Sequence, residues 1–380
     1  MNIFIWAPFL QKVGTTTNVE NLISSFLRYS KTQNYKIDLI NVFGEWDNYK
    51  VEDKRINKIS LLNLKFLKEN RKKGFLVSRI YTILIIFFSI LPLARLLKEK
   101  NYDFLFAHLI TSLPIFLAGF FKKKTKLILS IAGFPKLTLI RSIYWKVFRK
   151  NIFKIICPSQ ETKNLLIKKK IFNKDKLFVI KDPHISAKKI VQKKNVKIEN
   201  KLNYKNNIIS IGRLTNQKNY IFLLEAFKKV LDLKKNLHLT IIGDGENRKL
   251  IEKKIKNLEI TKFVTLEGYQ ENVYKYLNNS DCYFSASLWE GPDLAMLDAA
   301  FLNVPIICSD CQSGRKEFID NNNRGYLFKT NNMSSLLNAF KMFFHDDNFL
   351  KKKKIIEAKK EVKNFSQFRY HLNLQKILKN

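Results

Sequence analysis

Cysteine, glycine and acidic side chains are all scarce in this sequence of 380 residues. Four cysteines are too few to hold together a secreted disulfide-rich domain, and they favour a reducing compartment. Twelve glycines exclude a collagen-like repeat. Only 32 Asp and Glu stand against 69 Lys and Arg, so the formal net charge is +37 and an acidic tail is excluded. The hydrophobic content of 46% still allows substantial cores, and the length suggests two domains.

Long hydrophobic runs are also missing. Residues 80–94 are uncharged over 15 positions and residues 104–121 over 18, whereas a membrane-spanning helix needs ~20. Both runs contain a proline, and we interpret them as buried elements with some apolar surface. Residues 1–10 have no basic segment and no small-residue cleavage site, so we expect a first strand there and not a signal peptide.

The positive charge is concentrated in the first half of the chain. Residues 1–200 carry 39 basic and 13 acidic side chains, and residues 201–380 carry 30 and 19. Such a surplus favours anionic partners such as phosphates, nucleic acid or an anionic leaflet. Compositional drift in a chain rich in Lys, Asn and Ile explains it equally well, so charge alone names no partner. The cations that flank the two apolar runs, and would suit lipid headgroups, are Arg71, Lys72, Lys73, Arg79, Lys122, Lys123 and Lys124.

Short apolar runs alternate with helix-periodic stretches twice along the chain, which predicts an α/β fold with parallel, doubly wound sheets. The polar stretch 184–206 separates the two series, and we predict a linker there. The predicted domains are 1–183 and 207–355, and a C-terminal helix at 356–380 would return to the first domain. The predicted strands are 2–6, 36–43, 104–107, 126–130, 155–158 and 178–180, then 207–211, 237–242, 263–267, 282–285 and 305–309, and the first predicted helix is 19–31.

Polar clusters follow the predicted strands of the second domain, where the ligands of open α/β sheets bind. In the first cluster, Gly212 allows close backbone approach, and Arg213 and Lys218 add two cations at a loop-to-helix junction. This arrangement suits a diphosphate, and the alternative is a surface loop with two ordinary cations. The second cluster is Gly-Asp-Gly at 243–245, which marks a tight turn with or without a ligand beside it.

The third cluster spans a predicted helix start at 288–299. Glu290 precedes the helix and Asp298 lies inside it. The backbone N–H groups of Asp293, Leu294 and Ala295 would be unpaired at the helix start, where phosphate oxygens could dock. Carboxylates are also good acceptors for sugar hydroxyls. The alternative is an ordinary helix N-terminus with acidic residues in its first turn.

The order of these motifs over most of residues 205–330 resembles the family-4 retaining glycosyltransferases of GT-B fold. The motifs are G-R-L-x-x-x-K at 212–218, G-D-G at 243–245, E-G-P with an acidic residue eight positions after the Glu, and P-I-I-C-S-D-C-x-S-G-x-x-E at 305–317. In the first half, Gly14 stands where the family has a glycine-rich loop. His108 stands where the family has a strand that ends in His. The resemblance implies two Rossmann-like domains that face each other across a cleft.

The resemblance also implies roles for the candidate residues. Arg213 and Lys218 would bind the diphosphate of a nucleotide-sugar donor and stabilise the leaving charge. Glu290 would hold the hydroxyls of the donor sugar, and Asp298 those of the ribose. Family members usually need no metal, so we expect no metal site and no cofactor beyond the donor, a UDP-sugar.

The remaining candidates would complete the two sides of the site. Gly14 would let the backbone approach the phosphate, and His108 would line the sugar and acceptor site. The turn at Gly243 and the helix start at Asp293, Leu294 and Ala295 would belong to the donor side.

Three positions depart from the family pattern. Asp298 stands where Glu is usual, Asp293 places a negative charge near the expected phosphate, and Arg315 stands where Pro is common. The pair Cys308 and Cys311 has no second Cys or His pair at zinc-finger spacing, so we interpret all four cysteines, Cys157 and Cys282 included, as structural thiols. The histidines His184, His238, His345 and His371 have no partner pattern and are interpreted as ordinary.

The resemblance implies transfer of a hexose or acetamido-hexose to a glycan or a polyprenyl-diphosphate-linked glycan, in the biosynthesis of a surface polysaccharide such as lipopolysaccharide. The basic first half fits a cytoplasmic enzyme that contacts the anionic inner face of the plasma membrane. One alternative is a nucleotide-sugar epimerase of the same fold, which needs no acceptor. A second, from another class, is a basic nucleic-acid-binding protein, although the chain shows no aromatic box interleaved with cations and we expect no nucleic-acid partner.

Overall fold

Apolar runs of three to six residues form two separate parallel sheets in a computed structural model of the protein. The structure describes residues 1–10, 14–29, 35–62, 75–119, 125–196, 206–291, 293–312 and 314–379. The chain divides into two units, one formed by Met1–Pro183 with Gln367–Asn380 and the other by His184–Ser366.

The first unit holds a seven-stranded sheet of order β3-β2-β1-β4-β5-β6-β7. Its strands are β1 (Asn2–Trp6), β2 (Lys36–Asn41), β3 (Ile56–Ser60), β4 (Phe104–Ala107), β5 (Lys126–Ser130), β6 (Lys154–Cys157) and β7 (Leu177–Val179). Its helices are α1 (Gly14–Tyr29), α2 (Phe75–Glu99), α3 (Ser112–Ala118), α4 (Leu139–Phe148) and α5 (Gln160–Lys168), together with the C-terminal α14 (Gln367–Lys379).

The second unit holds a six-stranded sheet of order β10-β9-β8-β11-β12-β13. Its strands are β8 (Asn207–Ile211), β9 (His238–Ile242), β10 (Val264–Gly268), β11 (Cys282–Ser285), β12 (Ile306–Ser309) and β13 (Tyr326–Phe328). Its helices are α6 (Ala187–Lys194), α7 (Tyr220–Leu233), α8 (Arg248–Asn257), α9 (Tyr274–Leu277), α10 (Leu294–Phe301), α11 (Arg315–Ile319), α12 (Met333–His345) and α13 (Asn348–Val362).

Helices cover both faces of each sheet, because strand side chains point alternately to opposite faces. In β1, Phe4 and Trp6 belong to the core shared with α2, α3 and α4, whereas Ile3 and Ile5 belong to the core shared with α1 and α14. The strand order reverses between β1 and β4 in one sheet and between β8 and β11 in the other. Such reversal points leave a crevice at the carboxyl ends of the strands, where ligands of this fold class bind. The predicted α/β architecture is confirmed.

Several elements differ from the sequence-based expectation. Helix α1 begins at Gly14, five residues before the predicted start, because the three threonines that follow are accommodated in the first turns. Strand β3 was missed because its burial does not alternate cleanly, and the three-residue strand β13 was not predicted either. The predicted linker contains α6, whose Ile190 is buried in the second unit, so its first residues are packed structure. Residues 197–205 lie outside the described residues.

The C-terminal segment belongs to both units. Helix α13 stays with the second unit because Ala358 and Val362 are buried in that core. The segment assigned to the first unit therefore begins at Gln367 and not at residue 356. Helix α14 packs on α1, where Gln367 Nε2 donates to Asn21 Oδ1 at 2.9 Å.

The first apolar run lies inside the longer helix α2, which continues through Pro92. By length and composition alone, this is the one helix in the described part of the chain that could cross a membrane, over Arg79–Glu99 with a mean hydropathy of 2.2. Its Ile85, Leu93 and Leu97 are buried in the core of the first unit, but only 22% of the apolar window is buried, so the helix is more exposed than the sequence-based interpretation expected. The second run divides into β4 and α3, also as expected, and the cations at 71–73 and 122–124 lie outside the described residues.

Candidate functional site

The loop after β8 takes its shape from the Gly-Asp-Gly turn after β9. The backbone N–H of Gly212 donates to Ile242 O at 2.9 Å, and that of Leu214 donates to Asp244 O at 3.0 Å. Gly243 has a φ of 142°, and a Cβ there would lie 1.9 Å from Gly212 O. Only glycine fits at this close contact, so the role of Gly243 is to let the turn after β9 pack against the loop after β8.

Lys218 reaches from this loop toward the loop after β11. It ends a short 3₁₀ turn, Asn216–Lys218, and is followed by Asn219 in the left-handed region. Lys218 Nζ lies 2.6 Å from Glu290 Oε1 and 3.9 Å from Asp293 Oδ1. A Cβ on Gly212 would lie 2.5 Å from Lys218 Cε, so the glycine makes room for the lysine side chain. The structure thus joins two sequence-predicted residues, Lys218 and Glu290, that are 72 positions apart.

Glu290 is held from several directions at once. Gln217 Nε2 donates to Trp289 O at 2.8 Å and to Glu290 Oε2 at 3.4 Å. The backbone N–H of Glu290 donates to Gln312 O at 3.4 Å. The carboxylate is therefore fixed in position before the start of α10, as a group that orients substrate hydroxyls needs to be.

Asp293 caps α10 and forms a buried ion pair with Arg315. Its Oδ1 accepts the backbone N–H of Met296 at 3.4 Å, and the Tyr283 hydroxyl donates to both carboxylate oxygens at 3.1 and 3.2 Å. Arg315 Nη2 contacts Asp293 Oδ2, and Arg315 is completely buried. Sequence reasoning flagged both residues as departures from the family pattern but did not pair them.

Electrostatics keep Lys218, Asp293 and Arg315 ionised. Burial alone would lower the pKa of Lys218, but the carboxylates of Glu290 and Asp293 outweigh it and raise that pKa. Burial would likewise raise the pKa of Asp293, and the cations of Arg315 and Lys218 hold it below its usual range. The pKa of Arg315 is raised well above its usual range because Asp293, Glu290 and two nearby thiols together outweigh the effect of burial. Lys218 and Arg315 are therefore cations, and Asp293 is an anion, at neutral pH.

The other second-unit candidates lie around this cluster. Arg213 is exposed, and its side chain makes no hydrogen bond or ion pair to any residue that the structure describes, whereas its backbone carbonyl accepts the N–H of Thr215 at 2.8 Å. Asp298 is buried on α10, where its Oδ1 lies 2.8 Å from His184 Nε2. His184 was interpreted as ordinary, and its contact with a predicted ribose-binding carboxylate could not be read from one sequence because 114 positions separate them. Leu294 and Ala295 open α10, and the N–H of the next residue, Met296, is taken by the Asp293 cap.

In the first unit, His108 follows β4 at the point where the strand order reverses. Its ring stacks on Phe106 with 14° between the planes, and its Nε2 has no hydrogen-bond partner among the described residues. Burial lowers the pKa of His108 to about 4, so the imidazole is neutral at pH 7. Gly14 is exposed as the first residue of α1.

A small open pocket lies beside His108 in the first unit. It is bordered by hydroxyl, amide and carboxylate groups from α1, the ends of β5 and β7, and α14. Sequence reasoning missed these groups because they come from four separate segments. The polar lining residues are Thr15, Asn18, His108, Ser130, Asp182 and Tyr370.

The cysteines behave as structural thiols. Cys308 and Cys311 are buried and unpaired, and burial raises the pKa of both. Reactive cysteines have the opposite shift, since a low pKa supplies the thiolate. Among the residues that the structure describes, no cluster of three or more His, Cys, Asp and Glu could hold a metal ion.

Comparisons with known proteins point in one direction. Residues 191–362 match the model of the family described as glycosyl transferases group 1. An uncharacterized glycosyltransferase of Methanocaldococcus jannaschii is 31% identical over 59% of this chain and 60% of its own length. A UDP-Gal:alpha-D-GlcNAc-diphosphoundecaprenol alpha-1,3-galactosyltransferase of Escherichia coli is 28% identical over 66% of this chain and 68% of its own length.

A solved structure shows the same fold over the whole chain. The crystal structure of a glycosyltransferase from Rickettsia africae has a TM-score of 0.70 and 19% identity, and the match covers 100% of this chain and 98% of that one. The prediction of a GT-B fold is confirmed, and so is the resemblance to group 1 glycosyltransferases. The names of the relatives also support the prediction of a transferase enzyme.

Proposed function

Since residues 191–362 match the group 1 glycosyl transferases, we propose that the protein is a retaining glycosyltransferase. It moves a hexose or acetamido-hexose from a UDP-sugar to a glycan carried on a polyprenyl diphosphate, with no metal cofactor. The observation that carries the proposal is the contact of Lys218 with Glu290 at the reversal point of the second sheet. A cation for the diphosphate and a carboxylate for sugar hydroxyls meet there, at the carboxyl ends of β8 and β11.

Each residue has a physical task in this reaction. Cleavage of the donor leaves negative charge on the diphosphate. Lys218, partly buried and permanently charged, is already in place to stabilise that charge. Arg213 is exposed on the same loop and adds a second cation. Glu290 orients sugar hydroxyls and Asp298 the ribose hydroxyls. These two cations replace the role that a metal ion has in other phosphate-transfer sites.

His108 suits the polar, uncharged part of the substrates. A neutral imidazole can both donate and accept a hydrogen bond, so it can orient a hydroxyl without attracting the diphosphate. Its burial and its lowered pKa keep it neutral over the physiological range. Gly14, at the start of α1, is the point where the backbone of the first unit would approach the donor phosphate.

The acceptor proposal draws on the named relatives and on the surface of the first unit. The Escherichia coli relative is named for an acceptor on diphosphoundecaprenol, which resides in a membrane. Helices α2 and α4 both contact the core around α3 yet keep apolar side chains in solvent. We call this set the apolar helix face. It consists of Ile80, Ile83, Phe87 and Leu91 of α2 and Leu139, Ile140, Ile143 and Val147 of α4, all more than half exposed.

The charge around this face fits an anionic bilayer. Residues 104–160 contain ten Lys or Arg and no Asp or Glu. Arg79 and Arg95 lie at the two ends of the α2 stripe, and Lys146 lies beside the α4 stripe. Apolar side chains that insert between headgroups, with cations beside them, are the usual elements of peripheral binding. We propose that the protein is cytoplasmic and lies on the inner face of the plasma membrane through this face.

The donor site is tested by ligand-dependent thermal stabilisation. UDP-, GDP- and ADP-sugars are compared on the wild type and on Lys218→Met, with Lys254→Met as the matched loss of a lysine ion pair in the same unit. A donor at ~100 times its dissociation constant adds ~2.7 kcal/mol to stability. We expect stabilisation by the UDP-sugars in the wild type and Lys254→Met, and its loss in Lys218→Met. No stabilisation by any nucleotide sugar would refute the donor proposal.

Product analysis separates the enzyme classes. A transferase releases UDP and extends the glycan only when an acceptor is added, whereas an epimerase converts the donor alone. Steep salt-dependent affinity for DNA or RNA, with no nucleotide-sugar binding, would favour the nucleic-acid alternative.

Membrane contact is tested with vesicles. The variant Ile83→Gln with Phe87→Gln should lose co-sedimentation with vesicles of phosphatidylglycerol and phosphatidylcholine, and the wild type should bind pure phosphatidylcholine more weakly. Phe349→Gln removes an equally exposed aromatic side chain from the second unit and serves as the control. Equal binding by all three proteins would exclude the apolar helix face as the contact.

A further inference from the structure

The ion pair of Asp293 with Arg315 joins two residues that each depart from the family pattern. Arg315 Nη2 contacts Asp293 Oδ2, and both side chains are almost completely shielded from solvent. The guanidinium is fixed by further bonds, since Nη2 donates to Ser285 Oγ at 2.6 Å and Nη1 donates to Ser309 Oγ at 2.8 Å. The arginine is therefore held by the ends of two strands, β11 and β12, and by the N-cap residue of α10.

Asp293 places a buried negative charge where the donor diphosphate would bind, and this charge has to be cancelled. The Tyr283 hydroxyl and the Met296 N–H supply hydrogen bonds but no net charge. Lys218 is 3.9 Å from Asp293 and belongs to Glu290, which it contacts at 2.6 Å. Arg315 is thus the cation that cancels Asp293.

The four groups form an alternating arrangement. Arg315 Nη2 also lies 3.6 Å from Glu290 Oε1, so each carboxylate is near both cations. Removal of Arg315 would leave the carboxylates of Glu290 and Asp293 competing for Lys218. A buried pair that loses one partner leaves an uncompensated charge, which is costly, whereas removal of both partners can be nearly neutral.

We propose that Arg315 and Asp293 are a mutually dependent positioning pair of the donor site. Arg315 cancels the charge of Asp293, so that Lys218 remains available for Glu290 and for the donor diphosphate. This proposal rests on the proposed function, because it assigns the pair to a site that binds a nucleoside diphosphate. The two departures from the family pattern then compensate each other, and the site keeps its electrostatic character.

The proposal predicts that substitutions of Arg315 and of Asp293 have different effects on stability and on affinity for UDP. Arg315→Met leaves Asp293 unpaired and adds a net negative charge, so both stability and affinity for UDP should fall. Asp293→Asn keeps the cap, since Asn is also a good N-cap residue, and leaves a net positive charge. Stability should fall, but affinity for UDP should not. A merely structural role would make affinity follow stability in both variants.

The experiment measures the affinity for UDP and for uridine, together with the thermal midpoint, in five proteins. They are the wild type, Arg315→Met, Asp293→Asn, the double variant and Lys254→Met. We expect Arg315→Met to weaken UDP binding at least tenfold. Asp293→Asn should bind UDP as tightly as the wild type or more tightly. The affinity of the double variant for UDP should be within about threefold of the wild-type affinity. Uridine has no phosphate, so its affinity should change little throughout.

Two results would overturn the proposal. The pair serves folding alone if Asp293→Asn lowers the affinity for UDP together with the thermal midpoint. The same conclusion follows if the affinity for uridine falls in parallel with the affinity for UDP. If Arg315→Met does not fold, the sign of the Asp293→Asn effect and the recovery in the double variant still decide. Failure of the wild type to bind any nucleoside diphosphate would instead refute the proposed function, and this is measured first.

Discussion

In the second unit, four charged side chains meet at the point where the strand order reverses, and each is ion-paired or hydrogen-bonded. At the corresponding point of the first unit lies a neutral histidine beside a pocket with mostly uncharged polar groups. Both sites follow from the same parallel topology, which leaves a crevice at the strand ends. The fold thus determines where a ligand binds, and the side chains at that place determine whether the site suits a charged or an uncharged ligand. The charged cluster suits a diphosphate, and the mostly uncharged pocket suits hydroxyls.

The two units also differ in what surrounds these sites. The second unit contains many of the described ion pairs, such as Arg248 with Glu252 and Lys254 with Glu225. The first has a stretch of 57 residues, 104–160, without one acidic side chain, and an exposed apolar helix face beside it. A surface with balanced charge favours solvent, whereas a basic and apolar surface favours an anionic bilayer.

The largest expected difference between the units concerns their candidate glycines. Gly243→Ala would place a methyl group 1.9 Å from a backbone oxygen, which cannot move without distorting the 212–214 loop. We expect a loss of several kcal/mol of unfolding free energy, typical of an overpacked or strained backbone site. Gly14→Ala, at an exposed helix start, should change stability by no more than about 1 kcal/mol. Urea unfolding measures both, and equal effects would show that the close approach of Gly243 is relaxed in solution.

The next largest effect is a pH dependence from His108 in the first unit. Burial lowers its pKa from 6.5 to about 4. Between these pH values the unfolded chain binds a proton at His108 that the folded chain does not. The stability that depends on neutral His108 is therefore complete above about pH 6.5 and is lost as the pH falls toward 4. The loss is at most about 3 kcal/mol. His108→Gln should reduce the difference between urea unfolding curves at pH 7 and 5 without abolishing it, because burial also lowers the pKa of His238 to about 4. His345→Gln, at an exposed site, serves as the control.

A smaller effect concerns catalysis, where substitutions at Glu290 in the second unit and His108 in the first unit should change kcat to different extents. Glu290→Gln keeps the size of the side chain but removes the charge that pairs with Lys218, so we expect kcat to fall about 10²-fold, as for loss of one preorganised electrostatic group. His108→Gln keeps a neutral donor and acceptor and should retain most of kcat. Steady-state kinetics with a UDP-sugar measures both, and a larger loss in the His108 variant would reverse the assignment of charge to the two units.

The smallest effect distinguishes the two cations of one loop. Arg213 is exposed, so Arg213→Ala should leave the unfolding free energy within about 0.5 kcal/mol of the wild type. Its affinity for UDP should still fall, because the cation would contact the diphosphate. Calorimetric titration with UDP and thermal unfolding measure the two quantities separately. Unchanged affinity would remove Arg213 from the donor site.

Much of the fold was predictable because short-range patterns determine it. Strands β1, β4, β5, β8 and β11 were predicted with the bounds that the structure gives. Strand β3 was missed because its side chains are only partly buried, and helix α2 extends beyond the uncharged run because the charged Arg79 and Arg95 point to solvent at its ends. Sequence patterns report burial, and they fail where an element is half exposed.

The sequence by itself determined the parallel α/β class, the family resemblance and the candidates Lys218 and Glu290, because these depend on residue types at fixed spacings along the chain. Only the tertiary structure decided which residues meet. It paired Lys218 with Glu290, His184 with Asp298, and the two unusual residues Asp293 and Arg315 with each other. The physical reason is that an ion pair depends on the distance between two side chains, and in a sheet whose strand order reverses, that distance bears no relation to their separation in sequence.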